Sequence, residues 1–138
     1  MKKIITVLLI AATALVAIPA CSKGGDGGGG GTTEANLVVE TTPANGSTEA
    51  PAVGPDFPLK VEVKSTMPAS GVKIDISAKK DGSADPAFFT KSQNSTTAQT
   101  NFTITGTPAT VTCVVTVTVT SISKPSNVWT GSYRYSKK

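Results

Sequence analysis

The apolar residues of this chain fall into three regimes of spacing. From Ile4 to Ala20 they run almost without a break, 17 positions with Thr6 and Thr13 inside them. From Gly24 to Gly31 they disappear, and glycine is interrupted only by Asp26. From Leu37 onward they return at every second position, the period of a strand with one dry face and one wet one.

That period predicts strands along the whole remaining chain. Leu37 to Thr41 is a short apolar, β-branched run. Phe57, Leu59, Val61 and Val63 alternate with Pro58, Lys60, Glu62 and Lys64, and Val72, Ile74, Ile76 and Ala78 alternate with Lys73, Asp75 and Ser77. Phe102 and Ile104 flank Thr103. The longest alternation runs through Val111, Cys113, Val115, Val117 and Val119, with threonines between most of them. Trp129, Gly131, Tyr133 and Tyr135 form a final strand. Phe88 to Gln93 reads as a seventh strand, or as a single helical turn opened by Asp85-Pro86, because proline suits a first helical position.

Turn residues separate these runs: Pro43 to Gly46, Pro68 to Gly71, Asp81-Gly82, Gly106 to Pro108 and Lys124 to Asn127. Several short strands at this spacing, rich in Val and Thr and without helical periodicity, predict an all-β antiparallel sandwich of about seven strands over residues 37 to 138. Strand count and spacing resemble the immunoglobulin-like and fibronectin-type-III-like domains of bacterial surfaces. The antibody markers are absent, since Val111 stands two positions before Cys113 where those domains carry a tyrosine. The resemblance concerns architecture and transfers no activity.

The N-terminal regimes predict an address. Lys2 and Lys3, the apolar run, Ala20-Cys21 and a flexible polar stretch follow one another in the order of a cleaved export signal. Ile18-Pro19-Ala20-Cys21 resembles the lipobox of bacterial lipoproteins, with Ile for Leu and an unusual Pro19. The resemblance implies that residues 1 to 20 are removed, the Cys21 thiol takes a diacylglyceryl group and the new amine is acylated. A retained span is disfavoured, because it needs about 20 apolar residues and a charged stop on the far side. Ser22 to Asn36 then reads as a flexible tether, roughly 20 Å end to end and near 50 Å extended. Lys23 and Asp26 resemble a loose version of the short charged signal with which Bacteroidota display lipoproteins on the outer face. The implied location is the outer membrane, facing the surface or the periplasm.

Charge changes once the signal is set aside. Of 13 basic residues, Lys2 and Lys3 leave with it, against 9 acidic residues that stay, so the mature chain carries about +2. The charges alternate in sign, so no nucleic-acid footprint exists. Lipidation would consume Cys21 and leave Cys113 alone, so packing rather than a disulfide must hold the core.

Candidate chemistry is sparse. Histidine, the commonest general base and metal ligand, is absent. Cys113 lies within an apolar alternation and reads as a small core residue rather than a nucleophile. Asp81-Gly82-Ser83-Ala84-Asp85 resembles the start of a calcium loop, but Pro86 and Ser92 stand where such a loop needs Gly and Glu. A hairpin connection accounts for the same residues. No acidic pair is placed together for glycoside hydrolysis, and the glycine run lacks the Lys-Ser/Thr and helix of a phosphate loop. Asn45, Asn94 and Asn101 begin Asn-x-Ser/Thr triplets, which carry no expectation of glycosylation in a bacterial lipoprotein. Trp129, Tyr133 and Tyr135 share one face, either lining the interior or forming a platform for sugar rings or a protein partner. The sequence therefore predicts a non-catalytic, cofactor-free envelope module, held to the membrane by lipid at Cys21. A carbohydrate-binding accessory, or a small subunit of an envelope assembly, is the alternative.

Overall fold

A computed structural model of the chain describes residues 33–138. The expected export signal, Cys21, Lys23, Asp26 and the glycine run lie outside the described residues. Seven strands follow in order: β1 (Val39–Thr42), β2 (Phe57–Val63), β3 (Val72–Lys80), β4 (Phe89–Ser95), β5 (Gln99–Ile104), β6 (Thr112–Ser121) and β7 (Val128–Ser136). They form two antiparallel sheets, β1-β2-β5 and β4-β3-β6-β7, so the described chain is an all-β sandwich of three strands on four. In the constant-type immunoglobulin arrangement the fourth strand belongs to the sheet of the first two. Here β4 instead extends the other sheet, pairing with β3 from Val72↔Ser95 to Ala78↔Phe89.

The alternation converts directly into the core. Leu59, Val61 and Val63 of β2 face Val72, Ile74, Ile76 and Ala78 of β3 and Val115, Val117 and Val119 of β6 as a single buried cluster. Phe102 and Ile104 of β5 close it on one side. Burying each such side chain stabilises the fold by about 1.5–3 kcal/mol. Threonines 116, 118 and 120 take the half-wet outer positions of β6, where a β-branched stem suits the pleat and the hydroxyl stays hydrated.

Four of the five predicted turns form where their residues stood, while Gly106 to Pro108 is an irregular connection with no turn hydrogen bond. The Gly71 N–H donates to the Pro68 carbonyl, and the Asn127 N–H to that of Lys124. Gly46, Gly71, Gly82 and Gly106 all adopt positive φ. At Gly71 the requirement is doubled, because a Cβ there would collide with the Ser95 carbonyl oxygen. Between Asp85-Pro86 and β4 the backbone is irregular, with bends at Asp85 and Phe88 and no helical turn. The Phe88 N–H donates to the Ala78 carbonyl at 3.0 Å and starts the strand pairing. At the free edge of β4, Lys91 sits opposite inward-facing Ile76 yet remains exposed. An inward-pointing charge of this kind blocks edge-to-edge association.

The body begins before Leu37, within the predicted tether. The Glu34 carboxylate accepts from Ser123 Oγ at 2.6 Å and from Asn127 Nδ2 at 2.7 Å, and the Leu37 N–H donates to Asn127 Oδ1 at 2.9 Å. The chain therefore joins the sandwich at the β6–β7 turn.

Candidate functional site

A cleft of about 530 Å³ lies in the half of the sandwich away from that turn. It exists because β1 is only four residues long. β1 pairs with β2 from Val39↔Val63 to Thr42↔Lys60 and ends at Pro43, which has no N–H to continue the ladder. The chain then crosses to the other sheet. The Gly46 N–H donates to Ser132 O, Glu49 to Arg134 O and Ala52 to Ser136 O, so residues 46 to 52 cover the outer edge of β7 in parallel. Asn45 assists, its Oδ1 accepting from the Ser132 N–H at 2.8 Å. This crossing covers one edge and vacates another, beside Phe57 to Leu59 of β2.

Pro58 suits the vacated position. The Lys64 N–H donates to Val38 on the β1 side, so every second residue of β2 (Glu62, Lys60, Pro58) turns its backbone the same way. At Pro58 no N–H exists to be left unpaired. The vacated edge thus exposes one carbonyl and no donor.

Phe57, Leu59, Phe102, Tyr133 and Tyr135 form the floor, Pro43, Glu49, Ala50 and Ala52 form a wall, and Thr42, Lys60, Asn101 and Thr103 add polar groups to the lining. The Phe57 and Tyr135 rings are tilted at 56° with centroids 4.7 Å apart. Tyr135 shares a 2.7 Å hydrogen bond with the buried Thr107 hydroxyl. The Tyr133 hydroxyl is buried with no hydrogen-bond partner among the described residues. Burial holds both phenols above their ordinary titration range, and for Tyr133 the neighbouring Tyr135 and the Glu49 carboxylate add to the effect. On the outer face, Lys60 and Lys64 flank Glu62 at 3.3 and 2.8 Å, and the bond from Lys64, then that from Lys60, hold its carboxyl below the usual range. Glu49 is the acidic group of the cleft wall, and its Oε1 accepts from Ser47 Oγ at 2.6 Å.

The three aromatic residues singled out in the sequence do share one face of β7, and that face is the inner one. Tyr133 and Tyr135 are each 3% exposed, and Trp129 is half-buried with its indole laid back over Gly131. The tyrosine rings therefore present no open stacking platform; their cleft is walled by the 46–52 segment. Cys113 is fully buried, its thiol 3.8 Å from the Val111 carbonyl, and burial pushes its pKa up. Asp81 accepts from Arg134 Nε at 2.6 Å, and Asp85 lies 3.4 Å from Lys80, so each acid of the calcium-like segment faces a cation. Among the described residues no three His, Cys, Asp or Glu side chains cluster as metal ligands.

Of the residues that line the cleft, the sequence singled out only Tyr133 and Tyr135 as site candidates. Pro43, Glu49, Ala50 and Ala52 belong to a segment with no periodicity, whose place is set by backbone pairing to β7. Pro58 did carry a signal, since proline within an alternating run marks an unpaired edge. No family model matches the chain, and no curated protein matches it.

Proposed function

We propose that the chain is a lipid-anchored protein of the bacterial outer membrane whose sandwich is a non-catalytic binding module. The acyl groups on Cys21 would hold it at the bilayer, and the cleft beside β2 would be its working surface. One observation carries this reading: the chain joins the body at the β6–β7 turn, through Glu34 and Leu37, while the cleft lies in the opposite half. The attachment of the incoming chain therefore does not occupy the cleft. The absence of histidine and the burial of Cys113 support a binding role over a hydrolytic one. The glycan-stacking alternative needs ring faces open to water, and two of its three rings lie in the interior.

Growth with a clickable fatty acid tests the reading. Wild-type chain should take up label and fractionate with membranes, and Cys21→Ala should lose both properties. Wild-type protein that stays unlabelled would remove the anchor.

A further inference from the structure

Asn45 opens an Asn-x-Ser triplet, and its neighbour Gly46 gives it a chemistry of its own. An asparagine followed by glycine cyclises without an enzyme, because glycine has no side chain to shield its amide nitrogen. We propose that Asn45 is a self-modifying site, held closed by pairing to β7 and opened whenever residues 46 to 52 leave that edge.

The step balances with water alone. The Gly46 main-chain nitrogen attacks Cγ of the Asn45 side chain, so a new Cγ–N bond forms and the Cγ–Nδ2 bond breaks. The amide proton passes through solvent to the departing ammonia. The cyclic succinimide then takes up water at either carbonyl. One opening gives aspartate, and the other gives isoaspartate, which carries an extra carbon in its main chain.

In the folded chain both reacting groups are tied to one residue of β7. The Gly46 N–H, source of the nucleophile, donates to the Ser132 carbonyl at 2.7 Å. The Asn45 Oδ1 accepts from the Ser132 N–H at 2.8 Å. The Ser47 N–H donates to the Ala44 carbonyl at 3.0 Å and closes the turn between them, with Gly46 at φ +81° in the place where a type II turn needs glycine. Cyclisation has to free that N–H and rotate the peptide, which gives up these bonds.

Release of the segment is a local event. Asn45, Gly46 and every residue from Thr48 to Val53 are exposed, so main-chain bonds rather than buried side chains hold the segment to β7. A stretch of this kind opens without global unfolding. Isoaspartate would place its extra carbon inside the Ala44–Ser47 turn, and the side-chain amide that bonded Ser132 would be gone. Glu49, Ala50 and Ala52, the wall of the cleft, follow directly in the chain, so conversion loosens that wall irreversibly. The site itself depends on neither the lipid anchor nor the ligand of the cleft.

The test follows the full-length protein through incubation in mildly alkaline buffer, with and without denaturing urea. Digestion and mass spectrometry then measure aspartate and isoaspartate at position 45. Conversion in urea should outpace conversion in buffer by at least about tenfold, because the native rate follows the open population. Asn94 and Asn101, followed by Ser95 and Phe102, should stay intact and serve as the internal reference. Ala52→Pro removes the N–H that donates to Ser136 and should speed native conversion by at least about threefold, with the circular dichroism of wild type. Gly131→Ala is the second variant, since its Cβ would lie 2.9 Å from Asn45 Oδ1 and press the amide off Ser132. It should also raise the native rate. The comparison of buffer with urea needs neither variant. Equal rates in buffer and urea, no conversion in urea, or a native rate that neither variant raises would overturn the proposal.

Discussion

Tyr133 and Tyr135 stand two residues apart on the inner face of β7, ring centroids 6.0 Å apart, yet only Tyr135 has a partner for its hydroxyl. The same change at the two positions should therefore give opposite results. Tyr135→Phe strands the buried Thr107 hydroxyl and should cost about 1–3 kcal/mol. Tyr133→Phe removes a polar atom that had no partner and should be neutral or slightly stabilising. Urea unfolding midpoints at constant slope decide the order. A larger loss from Tyr133→Phe would mean that its hydroxyl is satisfied in the free protein.

The same pair makes the fold sensitive to alkali. Burial raises both phenols above their ordinary value of 10.0, so the folded state holds its protons longer than the unfolded chain. Their contribution is full below pH 10 and is lost as pH rises towards the folded-state values. Thermal midpoints should fall above pH 10, and the double variant Tyr133→Phe/Tyr135→Phe should show a shallower fall than wild type. Equal slopes would contradict the assignment.

At the other end, Glu34 fastens the incoming chain. The hydrogen bond from Ser123, then that from Asn127, holds its carboxyl below the ordinary value of 4.5. A depressed folded-state value means that the fastening is complete above that pH and is lost as pH falls through the lower, folded-state value. The Asn127 side-chain amide signal should report this, titrating with a midpoint below 4.5 in wild type and losing the transition in Glu34→Ala. A midpoint at or above 4.5 would show that the carboxylate is free.

Two backbone positions make a matched test of left-handed geometry. Gly71, at φ +81° and hard against the Ser95 carbonyl, should lose at least about 1–2 kcal/mol on change to Ala. Thr110 is exposed and held at φ 61°, a conformation costly for a β-branched residue. Thr110→Asn, which tolerates that region, should stabilise by about 0.5–1 kcal/mol. Calorimetric melting of the two variants beside wild type checks both signs. Stabilisation by Gly71→Ala would overturn the turn geometry.

The fold was legible because its driving force is local in pattern. Val115, Val117 and Val119 alternate in sequence and are all interior, and the turns at Gly46, Gly71 and Gly82 closed where they stood. Strand ends were less legible: β5 begins at Gln99, three residues before Phe102, because polar residues extend the ladder through backbone bonds. The cleft was hidden for the same reason. Residues 46 to 52 reach β7 by main-chain pairing that leaves no periodic trace, and Asn45 bonds to Ser132 across 87 positions. The face shared by Trp129, Tyr133 and Tyr135 was readable from alternation, but whether that face was inner or outer depended on the opposite sheet. Pro58 was the one residue that announced the vacated edge.

The anchor remains the premise of the proposed function, and the N-terminal peptide of the native protein tests it most directly. Mass spectrometry should find a chain that begins at Cys21 and carries the added mass of a diacylglyceryl group and an amide-linked acyl chain. A peptide beginning at Met1, or at Cys21 with an unmodified thiol, would contradict the account.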